Sequence, residues 1–291
     1  REASRVWDMK IYYANIIGCK VLETFLGSKK INVLSSFYGA PLPKEKPPYC
    51  DGVFIDSGAF SAFRKKIVIN VQDYILFLKK QTLSTTYASL DVIGDAKESL
   101  RLFQIMKKQG LEPIPCFHIG ESIKYLDFYS QQCSYIALGG VAMKRKVERS
   151  LWLDLVFERI WDLCLSKKVK VHGFGIFDEN TIFRYPWESV DASSIHVIAR
   201  YGGIYTPFGV SLKINPNVNE GDRKWQDSPV SISTIKSWVK SIGFDFEKAR
   251  SGTPEATLLR TAISIRYFED VLKKEAKIVK RRPKTGLKIN W

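Results

Sequence analysis

The chain has 291 residues, 45% hydrophobic and 13% aromatic, which describes one large folded domain or two ordinary ones and excludes a disordered polyelectrolyte. Lysine and arginine outnumber aspartate and glutamate by 45 to 30, and a net charge of +15 is the footprint of a polyanion binder, nucleic acid first among the candidates. Five scattered cysteines with no CxxC pair indicate neither a disulfide framework nor a zinc ribbon. No apolar run approaches the roughly 20 residues of a membrane span, and the N-terminus carries no signal-peptide pattern, so a soluble cytoplasmic protein with no membrane partner is expected.

Met9 to Asn15 is β-branched and aromatic and predicts a first strand, followed by a helical stretch around Val21 to Phe25. Ile31 to Ser36 is extended, and residues 40–50, with four prolines, predict an irregular surface loop. Gly52-Val53-Phe54-Ile55 is a continuous apolar run ending at Asp56. Val71 to Lys80 has helical spacing. Tyr87 to Leu90 ends at Asp91, and Glu98 to Lys108 is a strong amphipathic helix. Pro113 to Phe117 ends at His118, and Tyr135 to Leu138 ends at Gly139-Gly140. Leu151 to Leu165 is helical, Val169 to Val171 runs into His172-Gly173, and Asn180 to Tyr185 predicts a short helix before Ser189-Val190-Asp191.

This alternation, six or seven units in about 190 residues, predicts a parallel sheet with both faces covered. With no glycine-rich dinucleotide turn, a (β/α)8 TIM-like barrel over residues 1–243 is favoured, its active site at the C-terminal ends of the strands. Gly202-Gly203 and Asn215-Pro216-Asn217 are turn signals around a hairpin or an eighth strand between Tyr205 and Ile214. From residue 244 a basic helical C-terminal extension is expected, with Thr253 as cap and Pro254 in the first helical position of a helix running to about Lys280.

Asp56, Asp91 and Asp191 each end an apolar run. A carboxylate desolvated there suits acid/base or nucleophilic work, and it equally suits capping of the following helix. Three carboxylates on one rim fit glycosyl transfer. Asp91 suits paired donors such as a guanine edge, and Gly139-Gly140 bares backbone N–H groups to a flat heterocycle or simply makes a turn. Phe60 offers a stacking face. His118 is a hydrogen-bonding candidate; His172 and His196 read as structural, and the three histidines form no metal-binding spacing. Arg64-Lys65-Lys66, Lys144-Arg145-Lys146, Arg200 and Lys280-Arg281-Arg282 are the candidate phosphate contacts, with a solvated tail as the other reading of the last group.

Between Gly52 and Ser194 the chain resembles the tRNA-guanine transglycosylase superfamily. Phe54-Ile-Asp-Ser-Gly-Ala-Phe60 is similar to that family's Asp-Ser-Gly-Gly-Tyr/Phe signature, Tyr135 to Ala142 to its Ile-Gly-Gly-Leu segment, His172-Gly-Phe-Gly175 to its Met-Gly-Val-Gly, and Ser189 to Ser193 to the strand that carries its nucleophile. The resemblance implies Asp191 as nucleophile, Asp56 as general acid/base, Phe60 as stacking ring, and Ser57, Asp91, His118, Gly139, Gly140, His172 and Gly173 around the base. His118 departs from the family's glutamine. The family's CxCxxC-plus-histidine zinc site is absent from this chain, and Ser193-Ser194 replaces its Pro-Thr-Arg element. Those departures resemble the DpdA-like branch of phages and bacterial modification clusters, which implies exchange of guanine in DNA for a free 7-deazaguanine such as preQ0, in the host cytoplasm and without a cofactor or metal, with tRNA as the alternative substrate. A non-catalytic nucleic-acid-binding homologue, as a subunit of a larger assembly with partner proteins, is a further alternative.

Overall fold

The structure is a computed structural model that describes residues 9–14, 16, 20–39, 42–141, 144–176, 178–192, 194–208, 212–214, 230–272 and 281–286. Asn15, Ala142, Ser193, the Asn215-Pro216-Asn217 turn, residues 273–280 of the expected C-terminal helix and Lys280 with them lie outside the described residues.

The chain is α/β with a curled, eight-stranded parallel sheet. Its strands are β1 (Lys10–Ala14), β2 (Ile31–Ser36), β3 (Cys50–Asp56), β4 (Thr86–Tyr87), β5 (Cys116–His118), β6 (Tyr135–Gly139), β7 (Lys170–Gly173) and β8 (Ser189–Ala192). They lie in the order β4-β3-β2-β1-β8-β7-β6-β5. Outside the named strands, an isolated parallel bridge pairs Ala88 with Ile114, with Ser89 N–H donating to Ile114 O at 2.8 Å and Ile114 N–H to Tyr87 O at 2.9 Å. The expected hairpin after Gly202 is a two-strand antiparallel pair, β9 (Gly203–Ile204) with β10 (Leu212–Lys213), outside the main sheet.

Helices run between the strands: α1 (Lys20–Leu26), α2 (Ala59–Arg64), α3 (Val71–Lys80), α4 (Ala96–Lys108), α5 (Ile123–Gln132), α6 (Lys146–Leu165), α7 (Glu179–Arg184) and α8 (Ser194–Arg200). Their starts follow local chemistry. Asn70 caps α3 by accepting from Gln72 and Asp73 N–H, and Asp95 caps α4 by accepting from Glu98 N–H. After β10 come α9 (Ile232–Ser241), α10 (Phe246–Arg250) and α11 (Pro254–Tyr267), the last capped by Thr253 with Pro254 in its first turn as expected. A π-helical turn, Phe268–Leu272, follows.

Pleating sorts the strand residues by twos. Ile11, Tyr13, Val33, Val53, Ile55, Ile136, Leu138, Val171 and Val190 belong to the large core under the helices. Their neighbours Tyr12, Ala14, Leu34, Phe54, Cys116 and Ala137 form a separate small cluster on the concave face. Both faces are therefore buried, which is why these strands read as unbroken apolar runs.

Alpha11 ties the C-terminal part to the sheet's helices. Ala262 and Ile265 join the large core, while Leu259 and Ile263 join a second cluster with Ile204, Ile235, Val239 and Phe246. Buried Arg260 lies between these layers. Its guanidinium donates to Ala199 O and Ala249 O, both at 2.7 Å, and to Ser251 O at 3.1 Å, satisfying carbonyls at the C-terminal ends of α8 and α10. Arg260→Ala would take this donor from the buried Ala249 carbonyl, at about 1–3 kcal/mol, while Ala199 O would keep the Gly202 N–H at 3.1 Å. A marked fall in Tm is expected in thermal denaturation, with Arg260→Lys intermediate because an ammonium cannot span all three acceptors.

Candidate active site

The concave cluster ends where polar residues take over. Two residues beyond Leu34 is Ser36, beyond Phe54 is Asp56, beyond Cys116 is His118, beyond Ala137 is Gly139, and beyond buried Ser189 is Asp191. The pleat keeps each on the same face as its predecessor. Ladder pairing sets Asp56 beside Ser36 and His118 beside Gly139. Together with Asp91, Phe60, Gly140, Phe174 and Gly175 they surround a cavity of about 240 Å³.

Asp56 closes β3, and its Oδ2 accepts the Gly58 N–H at 3.1 Å. Gly58, the N-cap of α2, has no side chain to cap with; Asp56 takes its N–H from the end of β3 while lining the cavity, and Ser57 Oγ accepts the Ala59 N–H at 3.2 Å. Glycine is required at position 58: φ is +81°, and a Cβ would meet Ser36 Oγ at 2.5 Å and Tyr38 Cβ at 2.6 Å. Burial first, then the charges of Asp91 and Asp191, push the Asp56 carboxyl up to about 7, against the opposing Gly58 and Ser57 amides.

Asp91 is free of cap duty, because Asp95 caps α4. Its Oδ1 accepts from Ser57 Oγ at 3.3 Å and its Oδ2 faces His118 Nε2 at 2.9 Å. On the other side of the imidazole, Nδ1 meets Glu121 Oε1 at 3.1 Å, while Glu121 Oε2 accepts the His118 N–H at 3.0 Å. Burial pulls the His118 pKa down, but the neighbouring Cys116 sulfur and the carboxylates of Asp91 and Glu121 outweigh it, so the imidazole is held well above its ordinary range.

Asp191, buried in β8, accepts the Gly175 N–H on Oδ1 at 2.6 Å. His172 Nε2 stands 3.9 Å from the same oxygen. That ring is wholly buried, stacked on Phe54 at 4.5 Å, with Nδ1 against Ser189 Oγ at 2.5 Å. Burial drives its pKa down to about 3, which leaves a neutral imidazole beneath the nucleophile candidate.

The structure thus gathers Asp56, Phe60, Asp91, His118, Gly139, Gly140 and Asp191 around one cavity. Ser57 is fully buried and acts through Asp91, and His172 lies one layer below the cavity lining. Gly173 makes room for packing: a Cβ there would meet Ile176 at 2.7 Å and Trp187 at 3.0 Å. Phe174 and Gly175 stand in the His172-Gly-Phe-Gly175 motif with no role of their own assigned from sequence, and Glu121 and Cys116 are not singled out by the sequence at all. The His118-x-x-Glu121 spacing after a strand end is the one sequence signal that points to any of them. Asp91, Cys116 and His118 are the described residues whose donor atoms gather closely enough for a metal ion, all within 4.8 Å of one another.

Of the basic candidates, Arg64, Lys65 and Lys66 are exposed at the end of α2, which carries Phe60, and Lys144, Arg145 and Lys146 are exposed just after Gly140. Arg145 is paired with Glu148 at 2.6 Å. Arg200 ends α8, roughly 10 Å of helix from the strand ends. Arg282 is tied to Asp162 and to Glu158 O on α6, roughly 18–24 Å along that helix from its start, and Arg281 beside it is exposed. No helix among the described residues is long and apolar enough to cross a membrane.

The raised pKa of Asp56 has a sign that can be checked. Its folded value of about 7 exceeds the ordinary 3.8, so its contribution to stability is full below about pH 4 and is lost as pH rises through about 7. Asp56→Asn removes this loss. The Tm of the variant relative to the wild type is expected to rise between about pH 4 and pH 8, and a constant difference would contradict the shift.

Searches against protein-family models and curated proteins give no match to this chain.

Proposed function

We propose that this protein is a transglycosylase that exchanges guanine in DNA for a free 7-deazaguanine base of the preQ0 type. The observation that carries the reading is the convergence of Asp56, Asp91 and Asp191 on one cavity, with Asp56 poised near neutrality. In the proposed first step Asp191 attacks C1′ of the target nucleoside; the C1′–N9 bond breaks, and the departing guanine takes a proton from the Asp56 carboxylic acid. In the second, N9 of the incoming base attacks C1′, its proton passes to the Asp56 carboxylate, and Asp191 is released. A group with a pKa near 7 is well matched to serve as acid and then as base.

Asp91, oriented by Ser57 and His118, keeps lone pairs for the N1–H and amino group of a guanine edge. The Gly139-Gly140 backbone would meet the base carbonyl. A guanine must leave the duplex stack to reach such a cavity, at a cost of a few kcal/mol. Exposed Phe60 and Phe63, interleaved with Arg64-Lys65-Lys66, suit a swung-out base and its phosphates. In the same reading the Ala88–Ile114 bridge closes the sheet as a (β/α)8 barrel, the described helices after residue 244 brace it from outside, and the protein works in the cytoplasm. DNA is preferred to tRNA because the zinc subdomain that the tRNA enzymes carry has no counterpart in the sequence.

The test is incubation with labelled preQ0 and either duplex DNA or tRNA. Incorporation into DNA is expected; incorporation into tRNA alone would redirect the substrate, and binding with no incorporation would leave a non-catalytic binder. Asp191→Ala should abolish exchange and the trapped covalent intermediate, while Asp56→Asn should slow exchange by about 10²–10⁴-fold.

A further inference from the structure

In the cavity wall, Asp91, Cys116 and His118 bring together a carboxylate oxygen, a sulfur and an imidazole nitrogen, the donor types that first-row divalent ions of the zinc kind select. All three residues line the cavity, and the side chains of Asp91 and His118 are 12% and 7% exposed.

A second, independent observation concerns orientation. Glu121, itself 7% exposed in its side chain, takes the His118 Nδ1 with one oxygen and the His118 backbone N–H with the other. That clamp directs Nε2 toward Asp91. A carboxylate behind a histidine is the usual outer support of a metal-bound imidazole. Gly139 supplies the room: a Cβ there would stand 2.7 Å from Cys116 Sγ and 2.9 Å from His118 Cδ2, so any side chain would force the two donors apart.

We propose that Asp91, Cys116 and His118 form a binding site for one divalent transition-metal ion, zinc by class, whose fourth position opens to the cavity. Ligands about 2.0–2.1 Å from zinc at tetrahedral angles lie roughly 3.3 Å apart, and a sulfur at about 2.3 Å lies roughly 3.6 Å from the nitrogen. The 2.9 Å between Asp91 Oδ2 and His118 Nε2 therefore needs to open by only a few tenths of an ångström. The ion takes the place of two protons, the one between Nε2 and Oδ2 and the one on the Cys116 thiol, both released to solvent. Asp91 Oδ1, with its bond from Ser57, stays turned toward the cavity. The site does not depend on the transglycosylase reading, and metal content is measured without any exchange assay, so the two fail separately.

The experiment uses the full chain. Bound metal is measured by plasma mass spectrometry after purification in zinc-supplemented medium, and the metal-stripped protein is titrated with Co²⁺. About one ion per chain is expected, with Co²⁺ giving intense tetrahedral d–d bands and a thiolate-to-cobalt charge-transfer band. Cys116→Ser should lose the charge-transfer band, and His118→Ala should lose stoichiometric uptake. Glu121→Gln, nearly isosteric and outside the ligand set, should keep the band and weaken Co²⁺ binding by about 10–100-fold. Far less than one ion per chain, a weak six-coordinate cobalt spectrum, a band that survives Cys116→Ser, or unchanged affinity in Glu121→Gln would each overturn the assignment.

Discussion

The two-residue period of the pleat, held in parallel register across eight strands, is the constraint from which the rest follows. It divides every strand between a helix-facing core and a narrow concave interior. Where the apolar interior runs out, the next residue in step must face the same way. Ser36, Asp56, His118, Gly139 and Asp191 converge for that reason alone, from strands far apart in sequence. A one-residue slip in any ladder would turn its polar terminus into the helix layer.

Convergence creates an electrostatic problem, because carboxylates crowded into a half-enclosed space resist ionising together. The fold answers differently at each. Asp91 shares oxygens with Ser57 and His118, Asp191 is met by the Gly175 amide, and Asp56 has the Gly58 and Ser57 amides but, among the described residues, no paired cation. Burial first, and then the charges of its two neighbours, raise the pKa of Asp56. A division of labour among like groups thus emerges from which neighbour each one has.

Much of this was legible in the residues. Ile31–Ser36 and Val71–Lys80 have the boundaries that their patterns predict, and the β1 and β8 runs differ from theirs by a residue or two. Beta4 is shorter than Tyr87–Leu90 suggests. Leu90 leaves the ladder to join the helix-facing core, and only Ala88 continues the pairing, as a bridge. Whether each aspartate capped a helix was undecidable from spacing, since that depends on rivals: Asp95 takes the cap of α4 and frees Asp91. The Asp91–Cys116–His118 cluster was invisible for a related reason. Its members are 25 and 2 residues apart, and no local spacing rule joins a loop to the interior face of the next strand.

The strand order also says when the site can exist. Beta1 is hydrogen-bonded to β2 on one side and to β8 on the other, and Tyr12 pairs directly with Asp191. As a chain emerges from the ribosome, β1 must wait for nearly 180 further residues before its second neighbour arrives. Contacts of such sequence separation are slow to form, because loop closure precedes any gain from them. Asp191 comes on the last strand of the main sheet to be synthesised, and Asp56 has its full set of charged neighbours only with that strand in place. After burial and the Asp91 charge, the last contribution to its raised pKa thus comes from a contact that spans most of the sheet's sequence.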